Sequence, residues 1–165
     1  MYQFERYLPP IGRLFLCGLF VWGGVGKLMN PGGTAQFFVH DGVPHPVLMV
    51  WVAIAVELIG GLALLAGFKT RWAAGVLAAW CLLTGFVVHL AQGTASPPSP
   101  ATYDNMIHFY KNLAMAGGLL YVVAFGPGAL SVDNSMNRAR CRLATQRLPR
   151  PRWLQSFKPA RRFHA

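Results

Sequence analysis

The sequence predicts an all-α integral membrane protein, a four-helix bundle with both termini in the cytoplasm and a basic C-terminal tail. Three observations predict it. Of the 165 residues, 54% are hydrophobic and only 12% charged, about half the charged share of a soluble globular domain. The apolar residues gather into four stretches, Ile11–Leu28, Val47–Gly67, Trp72–Ala91 and Met106–Phe125, of 18, 21, 20 and 20 residues. A helix rising about 1.5 Å per residue needs around 20 residues to cross a hydrocarbon core of roughly 30 Å, and lipid admits only structures that satisfy their own backbone polar groups. Finally, nine of the fifteen Lys and Arg residues lie between Arg138 and Arg162, after the last stretch, so the net charge of +10 belongs to a tail. This hydrophobicity excludes a disordered polyelectrolyte. Basic residues confined to a tail, rather than spread over a folded surface, leave nucleic acid out of the expected partners.

The chain divides at Asp133, with the membrane domain over 1–133 and the tail over 134–165. Pro9-Pro10 opens the first span and Asn30-Pro31-Gly32-Gly33 closes it, proline and glycine being the strongest breakers of helical pattern. Arg6 and Arg13 ahead of an apolar run also suit a signal peptide. The run ends in Gly26-Lys27-Leu28-Met29-Asn30 without a small-x-small cleavage pattern and exceeds a usual h-region, so the span is expected to remain as an anchor. Arg13, Cys17, Phe20, Gly24 and Lys27 recur at steps of four, three, four and three, placing them on one helical stripe expected to face inward.

A loop from Asn30 to Pro46 follows, in which Thr34-Ala35-Gln36-Phe37-Phe38-Val39-His40 suits one or two interfacial helical turns covering the bundle mouth. Pro44 and Pro46 precede the second span, and the link to the third carries Lys69 and Arg71. The second outer loop, Gln92 to Asn105, reads as a semi-extended connector through Pro97, Pro98 and Pro100. Asp104 and Asn105 are placed to cap the fourth span, and Gly126-Pro127-Gly128 to stop it. The pairs Gly23-Gly24, Gly60-Gly61 and Gly117-Gly118 favour close helix approach, as small residues do in lipid. Arg6, Arg13, Lys69, Arg71 and the tail fall on one side of the membrane while both outer loops lack Lys and Arg, so that basic side is expected in the cytoplasm.

Ionisable groups inside spans carry the functional information, because a charge at the bilayer centre costs roughly 2.5–3.5 kcal/mol on insertion scales. Glu57 stands at the midpoint of its span, about 15 Å from either interface and too deep to snorkel, so it must be protonated or paired. Lys111 lies about 7.5 Å inside the outer end of the fourth span. It is the expected partner of Glu57, because Arg13 and Lys27 lie near span ends where they can reach headgroups. His108, Lys111, Asn112 and Met115 share one face by i,i+3 and i,i+4 spacing. Lys27, His89, His108, Lys111 and Asn112 thus gather in the outer half, beneath a loop bearing His40, Asp41 and His45. This is the candidate pocket. It suits an amphipathic ligand such as a quinone, whose carbonyls accept from His, Lys or Asn, with Glu57 able to exchange protons. The competing reading is structural, with the Glu57–Lys111 pair pinning the helices.

No H-x-x-x-H or H-E-x-x-H spacing sets a metal site, and haem held by two histidines ranks below the quinone. Cys17, Cys81 and Cys141 form no C-x-x-C, so neither a dithiol catalyst nor a disulfide is expected. The tail interleaves basic residues with Trp153, Phe157 and Phe163, a composition that anchors to anionic lipid at about 1 kcal/mol per basic residue.

The ordered motifs resemble a known family, the DoxX-like small membrane proteins of bacteria and archaea, over about Tyr7 to Asp133. The resemblance is carried by Gly12-Arg13-Leu14, Gly26-Lys27-Leu28, Val56-Glu57-Leu58-Ile59-Gly60-Gly61 and Gly67-Phe68-Lys69-Thr70-Arg71-Trp72-Ala73-Ala74. It continues in His108-Phe109-Tyr110-Lys111-Asn112-Leu113 and Gly117-Gly118-Leu119-Leu120. The family is named for a subunit tied to a terminal quinol oxidase and includes relatives linked to thiosulfate:quinone oxidation. The resemblance therefore implies an accessory subunit of a quinone-linked redox system in the bacterial inner membrane, associating with other membrane-complex subunits or with itself. Catalysis by this chain alone is not expected. The rival class is a non-enzymatic structural subunit or small transporter.

Overall fold

The computed structural model describes residues 2–97 and 99–147. The first helix, α1 (Tyr2–Met29), begins well before the prolines expected to open it and runs through Pro9 and Pro10. Each proline forfeits a backbone hydrogen bond, a loss that membrane helices accommodate through their neighbours. Here Pro9 is seated against Gly128, where an added Cβ would stand 2.5 Å from the proline Cβ. A short helix α2 (Pro31–His40) follows, capped by the Asn30 side chain, which accepts from the Gly33 N–H at 2.9 Å. It packs on α3 (Pro46–Ala66) and supplies the helical turns expected in this loop.

Gly67, at φ 70°, ends α3: its N–H donates to Leu64 O and that of Phe68 to Ala63 O, the double bond of a left-handed glycine cap. After a tight turn α4 (Thr70–Thr84) runs into a π-helical stretch, Gly85–Leu90, and a last turn α5 (Ala91–Gly93). The apolar run Trp72–Ala91 predicts a uniform helix here. Thr84 Oγ donates back to Trp80 O at 2.9 Å, the kind of hydroxyl competition that disturbs a helical ladder.

The next helix, α6 (Pro100–Phe125), starts earlier than Asp104 and Asn105 suggested. Ser99 and Thr102 cap each other in a reciprocal box with Pro100 in the first turn. It ends at Gly126, φ 83°, as expected. A final helix, α7 (Val132–Arg147), occupies the start of the tail, where no helix was anticipated. The rest of the tail, including Trp153, Phe157 and Phe163, lies outside the described residues.

Among the described residues three segments are long and apolar enough to cross a membrane: Arg6–Met29, Pro46–Ala66 and Thr70–Gly93. Although α6 has 26 residues, its first half carries Asp104, Asn105, His108, Lys111 and Asn112 and is correspondingly more polar. The helices pack as antiparallel neighbours, α1 on α3, α3 on α4 and α4 on α6. Glycines set the closest approaches: an added Cβ would come within 2.8 Å of Leu58 at Gly24, 2.9 Å of Leu77 at Gly60 and 3.3 Å of Leu16 at Gly118. The core thus formed includes Cys17, Phe20, Leu64, Leu77, Cys81 and Leu119. Outside it, Phe15, Trp22, Ile59 and Trp72 are exposed, an apolar outer surface of the kind a membrane covers.

Candidate functional site

The inward stripe on α1 is as its spacing predicts: Arg13, Cys17, Phe20 and Gly24 are buried and Lys27 half-buried. The ion pair it makes is a different one. Glu57, 8% exposed, accepts from Lys27 Nζ at 2.8 Å through Oε2 and from Trp80 Nε1 at 3.4 Å through Oε1. Lys111 therefore does not pair with Glu57, which corrects the sequence expectation. Depth along the membrane suggested Lys111, but α6 packs on α4, whereas α1 packs directly on α3. Gly23 and Gly24 make that contact close, since a Cβ at Gly23 would stand 3.1 Å from Glu57 Oε2. The Lys27 stem lies back toward Gly23, whose carbonyl accepts from Nζ at 3.4 Å, as helical side-chain direction favours.

Arg13 also departs from expectation. It does not reach out to headgroups but is 3% exposed, donating to Leu64 O at the end of α3 and to Leu130 O in the α6–α7 link. The carbonyls at a helix C-terminus lack intrahelical donors and carry partial negative charge, so a guanidinium is well placed there. Beside it Asp133 accepts from the Lys69 N–H at 2.8 Å, the Thr70 N–H at 2.9 Å and Thr70 Oγ at 2.8 Å. Burial raises the Asp133 pKa, but these donors from Thr70 and Lys69, with the Arg13 charge, outweigh it and hold the carboxyl below its ordinary value. Asp133 in this way caps α4, while its own N–H donates to Gly67 O at 2.9 Å. Local sequence carries no signal of this role, because Asp133 caps a helix that begins 63 residues earlier.

At the opposite end the structure brings several predicted residues together around the π-helical stretch. His89 Nδ1 faces Asn105 Oδ1 at 2.9 Å, and the His89 and His108 rings lie 5.2 Å apart. Lys111 Nζ donates to His108 Nδ1 at 3.0 Å, so Nδ1 is the acceptor and the ring's Nε2 is left to donate. Asn112 Nδ2 donates to Thr84 Oγ at 3.3 Å, continuing a polar line from Glu57 through Trp80 and Thr84 onto α6. Trp80 and Thr84 were not anticipated, although a Trp N–H buried in a span needs an acceptor.

The α2–α3 connection lies at this same end, tied by Gln92 Nε2 donating to Asp41 O at 3.4 Å. Asp41 Oδ1 lies 3.2 Å from the exposed His40 Nδ1, and its Oδ2 is buried without a partner. His45 is exposed at the start of α3, held at φ 50°. Among the described residues no three His, Cys, Asp or Glu side chains are grouped to hold a metal ion.

Apolar crossing helices, an outer apolar surface and a deep carboxylate paired within the bundle define an α-helical integral membrane protein. The chain belongs to the DoxX family, whose profile matches residues 8–90. It is 37% identical over 130 residues to the inner membrane protein YqjF of Escherichia coli K12, covering 78% of this chain and 91% of that one. With the inner membrane protein YphA of the same organism it shares 32% identity over 123 residues, 74% and 86% of the two chains. The Surfeit locus protein 4 homolog of Schizosaccharomyces pombe is 32% identical over 88 residues, half of this chain and 28% of that protein. No solved structure matches the chain.

Proposed function

We propose that this protein is an accessory subunit of a quinone-linked redox system in the bacterial inner membrane, with α6 as its fourth span and both termini cytoplasmic. The observation that carries the reading is the donor cluster around the π-helical stretch, His89, His108, Lys111 and Asn112. Local π-helices recur at functional sites. The Lys111 ammonium and the Asn112 amide supply hydrogen-bond donors of the kind a quinone carbonyl accepts, near a membrane face where an amphipathic headgroup resides. The names of YqjF and YphA support the inner membrane, and the basic residues Arg6, Lys69, Arg71 and the tail support the orientation. The tail meets anionic lipid, and the partners are other subunits of the complex or further copies of this chain.

Purification in mild detergent, followed by an absorbance spectrum, mass spectrometry of the lipid extract and identification of co-purifying proteins, tests this. Co-purified quinone that is lost in His108→Ala and Lys111→Ala is the expected result. A protein carrying only phospholipid under conditions that retain native lipid overturns it. A second reading, in which the intramembrane charges only hold the bundle, is favoured by both Glu57 oxygens having partners. Glu57→Gln separates the two, since a structural role lowers stability and leaves quinone content unchanged.

A further inference from the structure

We infer that the groove between the α3–α4 turn, the end of α6 and α7 binds a phosphate anion, either a phospholipid headgroup or free phosphate. It lies at the opposite end of the bundle from the donor cluster, with the first helix of the tail, α7, as one wall. The groove has a volume of about 660 Å³ and is lined by Lys69, Arg71, Arg140, Trp72, Phe125 and Asp133, among others. That volume lies within the ~300–1,000 Å³ usual for small-molecule sites.

Its charge is one-sided. Asp133 is the single acid of the lining, and its two oxygens already accept from the Lys69 and Thr70 amides and the Thr70 hydroxyl. Among the described residues none of Lys69, Arg71 and Arg140 forms a salt bridge. Three cations facing one hollow repel one another, an arrangement that an anion between them relieves. The Arg71 guanidinium lies beside Gly126, whose missing Cβ would otherwise stand 3.6 Å from both Nε and Nη2. A planar fork left open on one side can hold two phosphate oxygens at once.

The depth of the groove is that of a headgroup. It sits where α3 ends, α4 begins and α6 ends, with the Trp72 and Phe125 rings exposed at its rim. Aromatic rings at this level anchor helices at the membrane interface. An apolar rim with cations behind it matches a glycerophosphate, whose acyl chains leave along the rings.

Native mass spectrometry of the full-length protein in detergent, titrated with phosphatidylglycerol, phosphatidylcholine and inorganic phosphate, tests the proposal. Phosphatidylglycerol is expected to bind in preference to phosphatidylcholine. The combined Lys69→Gln, Arg71→Gln and Arg140→Gln variant is expected to weaken that binding about tenfold or more, given the worth of each basic residue near anionic lipid. A charge-matched variant at exposed positions outside the groove, Arg6→Gln, Arg138→Gln and Arg142→Gln, is expected to change it less than about twofold. Competition by millimolar inorganic phosphate identifies free phosphate as the ligand, and lack of competition identifies the lipid. Equal losses in the two variants, or equal binding of the two lipids, overturn the proposal. Should the groove variant fail to fold by gel filtration, Arg140→Gln against Arg138→Gln decides: a larger loss for the first supports the site, equal losses overturn it. The quinone content of the same samples is a separate measurement, so either reading can fail alone.

Discussion

The two ends of the bundle use charge in opposite ways. At the Arg13 end the two charges closest to the core are spent mainly on backbone: Arg13 on the carbonyls of Leu64 and Leu130, Asp133 on the amides that open α4. At the His108 end the polar side chains bond mainly to one another, and His108 and Lys111 remain exposed. A charge committed to helix ends is structural, because moving it removes a donor or acceptor from backbone groups that the helix itself leaves under-satisfied. A charge bonded to a neighbouring side chain can exchange that neighbour for a ligand at little cost. Between the two stands Glu57, deep but fully partnered.

Substitutions break or sharpen this contrast. The largest effect is expected for Lys27→Met, which leaves the Glu57 carboxylate without its cation; breaking a buried pair from one side costs about 3–5 kcal/mol. Thermal unfolding in detergent reads it, and the added Glu57→Gln change is expected to recover much of the loss, a coupling that an unpaired Glu57 would not show. Next comes Gly67→Ala, where the left-handed backbone and the adjacent Arg13 and Ser131 leave no place for a Cβ; about 2–3 kcal/mol is expected, and an unchanged melting temperature would remove Arg13 from that contact.

Asp133→Asn is expected to cost about 1 kcal/mol at neutral pH, the difference between hydrogen bonds to a charged and to a neutral acceptor. Its pH dependence has a definite sign. The folded carboxyl has a pKa below its ordinary value of 3.8, so its contribution is complete well above 3.8 and disappears as the pH falls through the folded value. The gap between wild type and variant therefore closes toward acid, and a gap that widened there would refute the cap. Smallest is Lys111→Ala, expected within about 0.5 kcal/mol of wild type because only an exposed histidine contact is lost.

How much of this was legible in the sequence follows from what periodicity encodes. The stripe from Arg13 to Lys27 could be read because helical spacing fixes which residues share a face. Glu57 could be singled out because hydropathy fixes depth. Its partner could not, since depth along the membrane says nothing of which helix stands beside which, and Lys111 was chosen on depth alone. The information lay in Gly23 and Gly24, whose missing side chains admit α3. The π-helical stretch was hidden because Gly85–Leu90 is apolar and indistinguishable in composition from an ordinary turn of helix. Helix α7 was hidden because its residues are polar all round and offer no apolar face to mark a period. The membrane domain's family was legible throughout, and the DoxX match over residues 8–90 agrees.

The clasp at the Arg13 end also has a meaning in time. Arg13 and the carbonyl it holds at Leu130 are 117 residues apart. At a synthesis rate of ~5–20 residues per second, the ribosome delivers the second roughly 6–23 s after the first. Within that interval three apolar helices are made while the arginine that closes their near end still lacks the link that buries it. Insertion of the early helices and completion of the fold are thus separate events, and the last one waits on the chain beyond Gly128.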